Sequence, residues 1–355
     1  MLSLRIFLRR VIKFTSIIYY FLRRKFVTKP NIEATIEKYI DRSSVNSDLD
    51  ILYIGVKYDY NEFSRGLSFE EYNVYRSLIR DYNIIRYDFY TVAKLYGPEF
   101  ANKILKEIIL IYQVKQLFVI LYTDIFDKKI LQNLKDQINI KTTLYLFDDD
   151  KRYQETKELT KHFNTVITSI PEKHSIRVNS GFDSVLLPFG VNDALYRPLN
   201  VVRDLDVVFI GQKFGNREKC ISSLRAKGIH VVTAGRNWPE GRITQGEMIE
   251  LINRAKIVLN FSGSAGNEHL KHINGRIFEV LATSSFLIAE YSSDLVNYFD
   301  IEKDLVTFTD EKQLISLVSY YLHNEEEREK ISHSGYNTVK SKYSINKLLA
   351  PILKN

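Results

Sequence analysis

The stretch "HLKHINGRIFEVLATSSFLIAEYSSDL", residues 269–295, joins an apolar helix to a buried strand. Apolar residues recur at helical spacing in its first half, and the short run "FLIAEY" is typical of a buried strand. Arg276 and Glu279 stand in the first turns of this helix, directly after Asn274 and Gly275, which suit a helix cap. The stretch therefore raises the question of what the charged pair faces.

The start of this helix suits a nucleotide diphosphate. A helix N-terminus presents unpaired N–H groups and a partial positive charge, which attract phosphate oxygens. The guanidinium of Arg276 can donate two parallel hydrogen bonds to the same phosphate oxygens. Glu279 follows three residues later on the same face, where its carboxylate can accept hydrogen bonds from a ribose diol. The pattern alone equally allows an ordinary ion pair between Arg276 and Glu279 on a solvated face.

Apolar runs alternate with amphipathic helical patterns on both sides of this stretch. Strands are predicted at 50–56, 83–90, 116–122, 142–148, 165–169 and 184–190, and a helix at 68–82 with Ser68 as its N-cap. After the polar segment "GVNDALYRPLN" (190–200), read as an interdomain linker, further strands are predicted at 206–211, 230–235, 256–262, 285–291 and 305–309. This alternation predicts an α/β fold of two consecutive Rossmann-like domains around parallel sheets.

The predicted domains follow from that pattern. They are an arm at 1–30, a first Rossmann-like domain at 48–190, a second at 201–341 and a final helix at 342–355 that returns to the first domain. The chain of 355 residues, 45% hydrophobic, is long enough for two cores. Its one cysteine, Cys220, excludes an internal disulfide framework.

The net charge of +7 is concentrated in the arm. Residues 1–29 carry eight basic residues and no acid, so the rest of the chain is close to neutral. A body without net positive charge argues against nucleic-acid binding. The arm has no uncharged stretch long enough to span a bilayer. Its basic and apolar residues fall largely on opposite helical faces, which predicts peripheral attachment to an anionic, cytoplasmic membrane face. A helix packed on the body is the alternative.

Two other loops of the second domain follow predicted strands, where ligands of parallel sheets bind. "GQKFGNRE" (211–218) offers Gly211 and Arg217 to a phosphate. "AGRNWPEG" (234–241) holds the only tryptophan, Trp238, which could stack on a base, although a packing role is favoured.

The region 206–345 resembles the C-terminal domain of GT-B glycosyltransferases, in particular the CgeB-like, spore-maturation-type branch. The resemblance rests on "NGRIFEVLATSSFLIAEYSSDLVNYF" and "DEKQLISLVSYYLHNEEEREKISHSGY", and more loosely on "LPFGVNDALYRPL" in the first domain. It implies two Rossmann-like domains facing across a cleft. It also implies transfer of a sugar from a nucleotide-sugar that is bound by the second domain.

The resemblance also implies roles for single residues. In many retaining members of the wider superfamily, two glutamates separated by seven residues mark the donor site. Glu279 matches the second, which is expected on the ribose. The first position is Lys271, a departure that would place a cation near the diphosphate. Together with the loop and helix-start residues above, the predicted donor site is Gly211, Arg217, Trp238, Lys271, Asn274, Gly275, Arg276 and Glu279. Retention of configuration is implied by analogy.

An acidic run, Asp148, Asp149 and Asp150, ends a predicted strand of the first domain. Three interpretations stay open: helix capping, an acceptor-side catalytic function, and a metal site of the D-x-D kind. With Lys271, the first two aspartates are the catalytic candidates. His269 and His272 flank the donor helix, but they are too few for a zinc site.

The sequence thus predicts a metal-independent glycosyltransferase without a cofactor. Its partners would be a nucleotide-sugar donor, a glycan or lipid-linked acceptor and an anionic membrane surface. A non-catalytic nucleotide- or sugar-binding protein on the same fold, or a metal-dependent D-x-D enzyme, are the alternatives.

Overall fold

The computed structural model of the protein describes residues 30–43, 50–136, 138–147, 149–264 and 267–354. The basic arm and Asp148 lie outside these residues, and of the segment 267–271 the backbone alone is described. The chain forms two compact units, and the division between them falls after Leu187. Within the described residues, no helix is long and apolar enough to cross a bilayer.

The described part of the first unit is built on a seven-stranded sheet. In chain order its strands are β1 (Ile40–Ser43), β2 (Asp50–Ile54), β3 (Asn83–Tyr87), β4 (Gln116–Ile120), β5 (Lys141–Leu146), β6 (Thr165–Thr168) and β7 (Ser184–Leu186). They lie in the order β1-β3-β2-β4-β5-β6-β7, parallel except for β1, which pairs antiparallel with β3. The central strands β4, β5 and β6 are almost wholly buried, as expected for parallel strands covered on both faces.

Helices flank this sheet. They are α1 (Ile32–Tyr39), α2 (Arg76–Leu78), α3 (Phe89–Tyr96), α4 (Pro98–Tyr112), α5 (Lys128–Asp136), α6 (Asp149–Thr160) and α7 (Pro171–Asn179). A π-helical segment, Glu70–Tyr75, leads into α2. The predicted cap is confirmed, because the Ser68 hydroxyl oxygen accepts from the Glu71 amide at 3.0 Å. The helix itself ends at Leu78, earlier than predicted.

A five-stranded parallel sheet forms the centre of the second unit as described. Its strands are β8 (Leu205–Ile210), β9 (Val231–Ala234), β10 (Ala255–Asn260), β13 (Leu287–Glu290) and β14 (Val306–Phe308), and β11 (Gly263–Ser264) and β12 (Asn267–Lys271) form a separate antiparallel hairpin. The sheet order is β14-β13-β10-β8-β9. Every predicted strand of both units is present, so the predicted α/β architecture is confirmed.

Apolar cores cover both faces of this second sheet. Along β10, Val258 belongs to one core, whereas its neighbours Ile257 and Leu259 belong to the other, as the two-residue period of a strand requires. The helices of this unit are α8 (Arg217–Ala226), α9 (Gln245–Arg254), α10 (Gly275–Ala282), α11 (Glu311–His323), α12 (Glu325–Lys342) and α13 (Ile345–Lys354). Cys220 of α8 is buried in the second of these cores.

The segment read as a linker packs into the second unit. Val191 and Tyr196 are both buried in its core, and the Val191 amide bonds the carbonyl of Tyr343 at 3.0 Å. The first residue of α13, Ile345, donates its own amide to the Val191 carbonyl at 2.9 Å. The predicted return of this last helix to the first domain stays a prediction.

Candidate functional site

The strand order of the second unit predicts a ligand site, in a crevice between β8 and β10. From β8 the chain first moves to β9 on one side and then crosses to β10 on the other, so the connections diverge at this point. In open parallel sheets, ligands bind outside the carboxyl ends of the strands where the order reverses. Residues 211–216 follow β8 and residues 261–264 follow β10, so both segments lie at this end of the sheet.

Helix α10 begins at this crevice with the predicted cap. Asn274 has extended backbone angles, and its side-chain oxygen accepts from the Arg276 amide at 3.2 Å. Its amide group exchanges hydrogen bonds with the side chain of Asn260, at the end of β10, over 3.0 and 3.2 Å. Gly275 is the first helical residue and is buried. The cap therefore also fixes the helix start against the sheet.

Arg276 and Glu279 form an ion pair, but they do not lie on a solvated face. An Arg276 Nη atom donates to one carboxylate oxygen of Glu279, whose side chain is only 6% exposed. The other oxygen accepts from the Tyr196 hydroxyl at 2.7 Å, and Gln245 donates to that hydroxyl in turn. Arg276 keeps 25% of its side chain exposed. The pair therefore combines a partly exposed guanidinium with a buried carboxylate that Tyr196 also holds in place.

Arg217 ties the two loops of the crevice together. Its guanidinium donates to the carbonyls of Gln212, at 2.9 Å, and of Phe261 and Gly263, at 3.3 and 2.8 Å. It lies 3.8 Å from the centre of the Phe214 ring. Burial lowers the pKa of Arg217 to about 10, so it is still protonated at neutral pH. This arrangement makes Arg217 a support for both loops, and its predicted phosphate contact stays a prediction.

Gly211 and Trp238 lock the loop after β8 to the loop after β9. The Gly211 amide donates to the Ala234 carbonyl at 2.9 Å, and its own carbonyl accepts from the Trp238 indole at 3.0 Å. A Cβ on Gly235 would lie 2.2 Å from the same carbonyl oxygen. Trp238 is only 6% exposed and packs edge-on against Phe209. The structure therefore agrees with the favoured packing role.

Glu290 was not among the predicted site residues. At the end of β13 it is 6% exposed, and one carboxylate oxygen accepts from the amide and the hydroxyl of Ser262, at 3.1 and 3.2 Å. It thereby holds Ser262, in the loop after β10, by two hydrogen bonds. The available signal was a single charged residue at the end of an otherwise apolar run.

The other predicted site residues are divided between the two units: the aspartates belong to the first, and Lys271 and the histidines belong to the second. The backbone of Lys271 pairs with Gly263 in the hairpin, and its side chain, like that of His269, lies outside the described part. His272 lies 3.3 Å from Asp294 through Nδ1. Asp149 is buried at the start of α6 and paired with Arg177. Within the described residues, no group of three His, Cys, Asp or Glu side chains could hold a metal.

Comparison with known proteins gives a family match over part of the chain and a fold. Residues 217–354, which contain α10, match the family model described as glycosyl transferase-like. No curated protein matches the chain. Sucrose-phosphate synthase from Thermosynechococcus elongatus superposes with a TM-score of 0.58 at 12% identity, over 86% of this chain and 98% of that one.

Two further structures have the same fold. Anabaena HepE in complex with UDP-glucose gives a TM-score of 0.55 at 10% identity, over 86% of this chain and 99% of that one. A glycosyltransferase from Rickettsia africae gives 0.54 at 14%, over 73% and 80%. The protein has the GT-B fold, as predicted. The family match and the fold together support an enzyme of the glycosyltransferase class.

Proposed function

We propose that the protein transfers a sugar from a nucleotide-sugar, with a UDP-sugar as the first donor to test. The observation that carries this proposal is the capped start of α10 at the crevice, with a partly open Arg276 in its first turn. This start lies inside the glycosyl transferase-like match. The complex of the HepE neighbour with UDP-glucose supports the choice of uridine.

In the proposed mechanism, protein charges meet the departing diphosphate. The bond from the anomeric carbon to the diphosphate breaks, and negative charge grows on the phosphate oxygens. The N–H groups at the start of α10 and the guanidinium of Arg276 stabilise that charge, and Lys271 adds a cation. No metal or cofactor is required in this mechanism. Retention of configuration and membership of the CgeB-like branch are proposed from the sequence resemblance.

Glu279 is proposed to bind the ribose of the nucleotide. In the structure its carboxylate is shared between Arg276 and Tyr196. Phosphate oxygens would draw Arg276 away and leave one carboxylate oxygen for the ribose hydroxyls, while Tyr196 and Gln245 keep Glu279 in place. The wild-type protein should therefore bind UDP more tightly than its 2′,3′-dideoxy analogue, and Glu279→Gln should reduce the difference.

The first test is the affinity for UDP of Arg276→Ala, measured by calorimetry. Loss of a charge-assisted hydrogen bond costs about 1.5–3 kcal/mol, which is roughly tenfold or more in affinity. Arg276→Lys keeps the charge and should retain part of the affinity. Unchanged affinity in a folded Arg276→Ala protein would leave the pair with Glu279 as a purely structural contact.

Turnover separates an enzyme from a binding protein on the same fold. A panel of nucleotide-sugars should give release of the free nucleotide, and this activity should persist in EDTA. Binding without any turnover across the panel would favour the non-catalytic alternative. Loss of activity in chelator that manganese restores would favour a metal role for Asp148 and Asp150.

The acceptor is proposed to be an envelope glycan or a lipid-linked glycan. This part of the proposal rests on the basic arm, whose eight positive charges suit the anionic cytoplasmic face of a membrane.

A further inference from the structure

The first unit contains a cavity of about 540 Å³ at the carboxyl ends of its central strands. It opens beyond β2, β4 and β5, and its chemically distinctive lining residues are Asp59, Tyr60, Glu70, Tyr122, Phe147 and Arg152. Its volume is within the usual range for small-molecule sites, about 300–1,000 Å³. Polar and aromatic groups thus converge where a parallel sheet binds its ligands.

One wall of the cavity is a strained, exposed tyrosine. Tyr60 and Asn61 both have φ of 55°, in the left-handed region, and the Tyr60 side chain is 58% exposed. The loop that carries them is closed by the bond from the Asp59 amide to the Gly66 carbonyl, at 3.0 Å. The Tyr122 hydroxyl donates to the Tyr60 carbonyl at 3.1 Å and supports the tip. Such strain persists where the surrounding structure enforces it, and it clusters at binding sites.

The charges around the cavity disfavour an anionic ligand. Among the described lining residues, the carboxylates of Asp59 and Glu70 accompany the guanidinium of Arg152. A second guanidinium, that of Arg65, lies 4.6 Å from the centre of the Tyr60 ring and pairs with Glu62 at 2.6 Å. Arg152 already donates to Glu155 at 3.3 Å and to the Leu121 carbonyl at 3.5 Å. Counted together around the cavity, Asp59, Glu62 and Glu70 supply three carboxylates against two guanidinium groups, so a phosphate or carboxylate group would meet a small excess of negative charge. Carboxylates suit hydroxyl donors, and aromatic rings suit an apolar C–H face.

We propose that this cavity binds a neutral sugar unit of the acceptor, with Tyr60 and Tyr122 against its C–H faces and with Asp59 and Glu70 accepting from its hydroxyls. The inference rests on the proposed glycosyltransferase function and specifies its acceptor. One hydroxyl oxygen of the bound glycan bonds to the anomeric carbon of the donor sugar, the bond from that carbon to the diphosphate breaks, and the hydroxyl proton passes to the departing diphosphate.

Saccharide binding to the full chain tests the proposal without a donor. Neutral disaccharides of glucose, galactose and N-acetylglucosamine are compared with disaccharides that contain a uronic acid, by saturation-transfer NMR and calorimetry. At least one neutral disaccharide should bind, and it should bind more tightly than its uronic acid counterpart. Tyr60→Ala should weaken that binding about five- to tenfold, whereas Tyr60→Phe, which keeps the ring, should not.

Phe63→Ala is the matched control. Phe63 is on the same loop and is 78% exposed, but it does not line the cavity, so its loss should leave saccharide affinity unchanged. Tighter binding of the uronic acid series, binding of no neutral saccharide, or equal effects of Tyr60→Ala and Phe63→Ala would overturn the proposal. Because both rings are exposed, neither variant should unfold the protein, and circular dichroism checks this.

Two readouts keep this proposal apart from the proposed function. Tyr60→Ala should raise the acceptor KM and leave the affinity for UDP unchanged. If transfer proceeds and Tyr60→Ala does not alter the acceptor KM, the cavity proposal fails and the glycosyltransferase stands. If neutral saccharides bind in a Tyr60-dependent way but no nucleotide-sugar turns over, the cavity is a sugar site and the transferase function fails.

Discussion

The carboxylate of Asp149 forms a buried ion pair with Arg177. It is 1% exposed, and both of its oxygens accept from the Nη atoms of Arg177, at 2.5 and 2.8 Å, while Arg177 is 2% exposed. A buried charge is tolerated only with its partner, because transfer out of water is costly. Helix capping, catalysis and metal binding were all open from the sequence, and this geometry favours a structural role.

We predict that Asp149→Ala lowers the free energy of unfolding by about 3–5 kcal/mol, since it leaves Arg177 buried without a partner. Urea denaturation followed by circular dichroism measures this. Asp150→Ala, in the same first turn of α6, is the comparison and should cost less than about 1 kcal/mol. A stable Asp149→Ala protein that has lost only its turnover would instead make Asp149 catalytic.

At the scale of single elements, the cap of α10 and its proposed phosphate contact can be tested separately. Asn274→Ala removes the cap and the amide pair with Asn260 and should cost about 0.5–2 kcal/mol of stability. Asn274→Asp keeps a cap acceptor but brings a negative charge to the proposed phosphate site. It should therefore lose less stability than Asn274→Ala and more affinity for UDP. Melting temperature and calorimetry on both variants check this, and an Asn274→Asp protein with full UDP affinity would contradict it.

Helix α12 approaches α10 closely because of one glycine. A Cβ on Gly335 would lie 2.3 Å from the Asp304 carbonyl oxygen and 2.8 Å from the side chain of Leu281, in α10. We predict that Gly335→Ala destabilises the protein by about 1–3 kcal/mol through overpacking. Gly246→Ala, in α9, meets nothing within 4 Å and should stabilise by about 0.4–1 kcal/mol. Equal effects of the two substitutions in thermal unfolding would show that the close approach relaxes freely.

The strands β1, β11 and β12 were not predicted, because their sequences lack the apolar runs from which strands are predicted. Strand β1, "IDRS", lies at the sheet edge and exposes Asp41 and Arg42, so its sequence contains no apolar run. The hairpin of β11 and β12 is rich in glycine and polar residues, which read as a loop. The cap and charged pair of α10 were predictable because they are local in sequence. Tyr196 was not, because it reaches Glu279 from 83 residues away.

At the scale of the whole molecule, the paired Rossmann-like units were predictable from sequence. Strands that are covered on both faces have continuous apolar sequences, whereas apolar residues in the helices between them recur with a period of about 3.6. A helical crossover between successive parallel strands was predictable too, since parallel strands need a long connection; the strand order was not predicted. The division of side chains between the two cores of the second unit follows from the two-residue period along β10.

The basic arm is expected to attach the whole protein to membranes. Each basic residue near an anionic surface contributes about 1 kcal/mol, and residues 1–29 carry eight. Full-length protein should therefore sediment with vesicles that contain phosphatidylserine and detach in high salt. A chain that starts at Asn31 should stay in the supernatant. If both chains behave alike, the arm packs on the protein itself.

The positions of Trp238 and Cys220 have a spectroscopic consequence. Each is the sole residue of its kind in the sequence, and both are buried in the second unit. Burial raises the pKa of the Cys220 thiol to about 11, so Ellman's reagent should react with it only when this unit opens. Selective excitation of the indole reports on the same unit, next to the loop that begins at Gly211. The protein therefore carries a fluorophore and a chemical label that report on its second unit alone, without engineered probes.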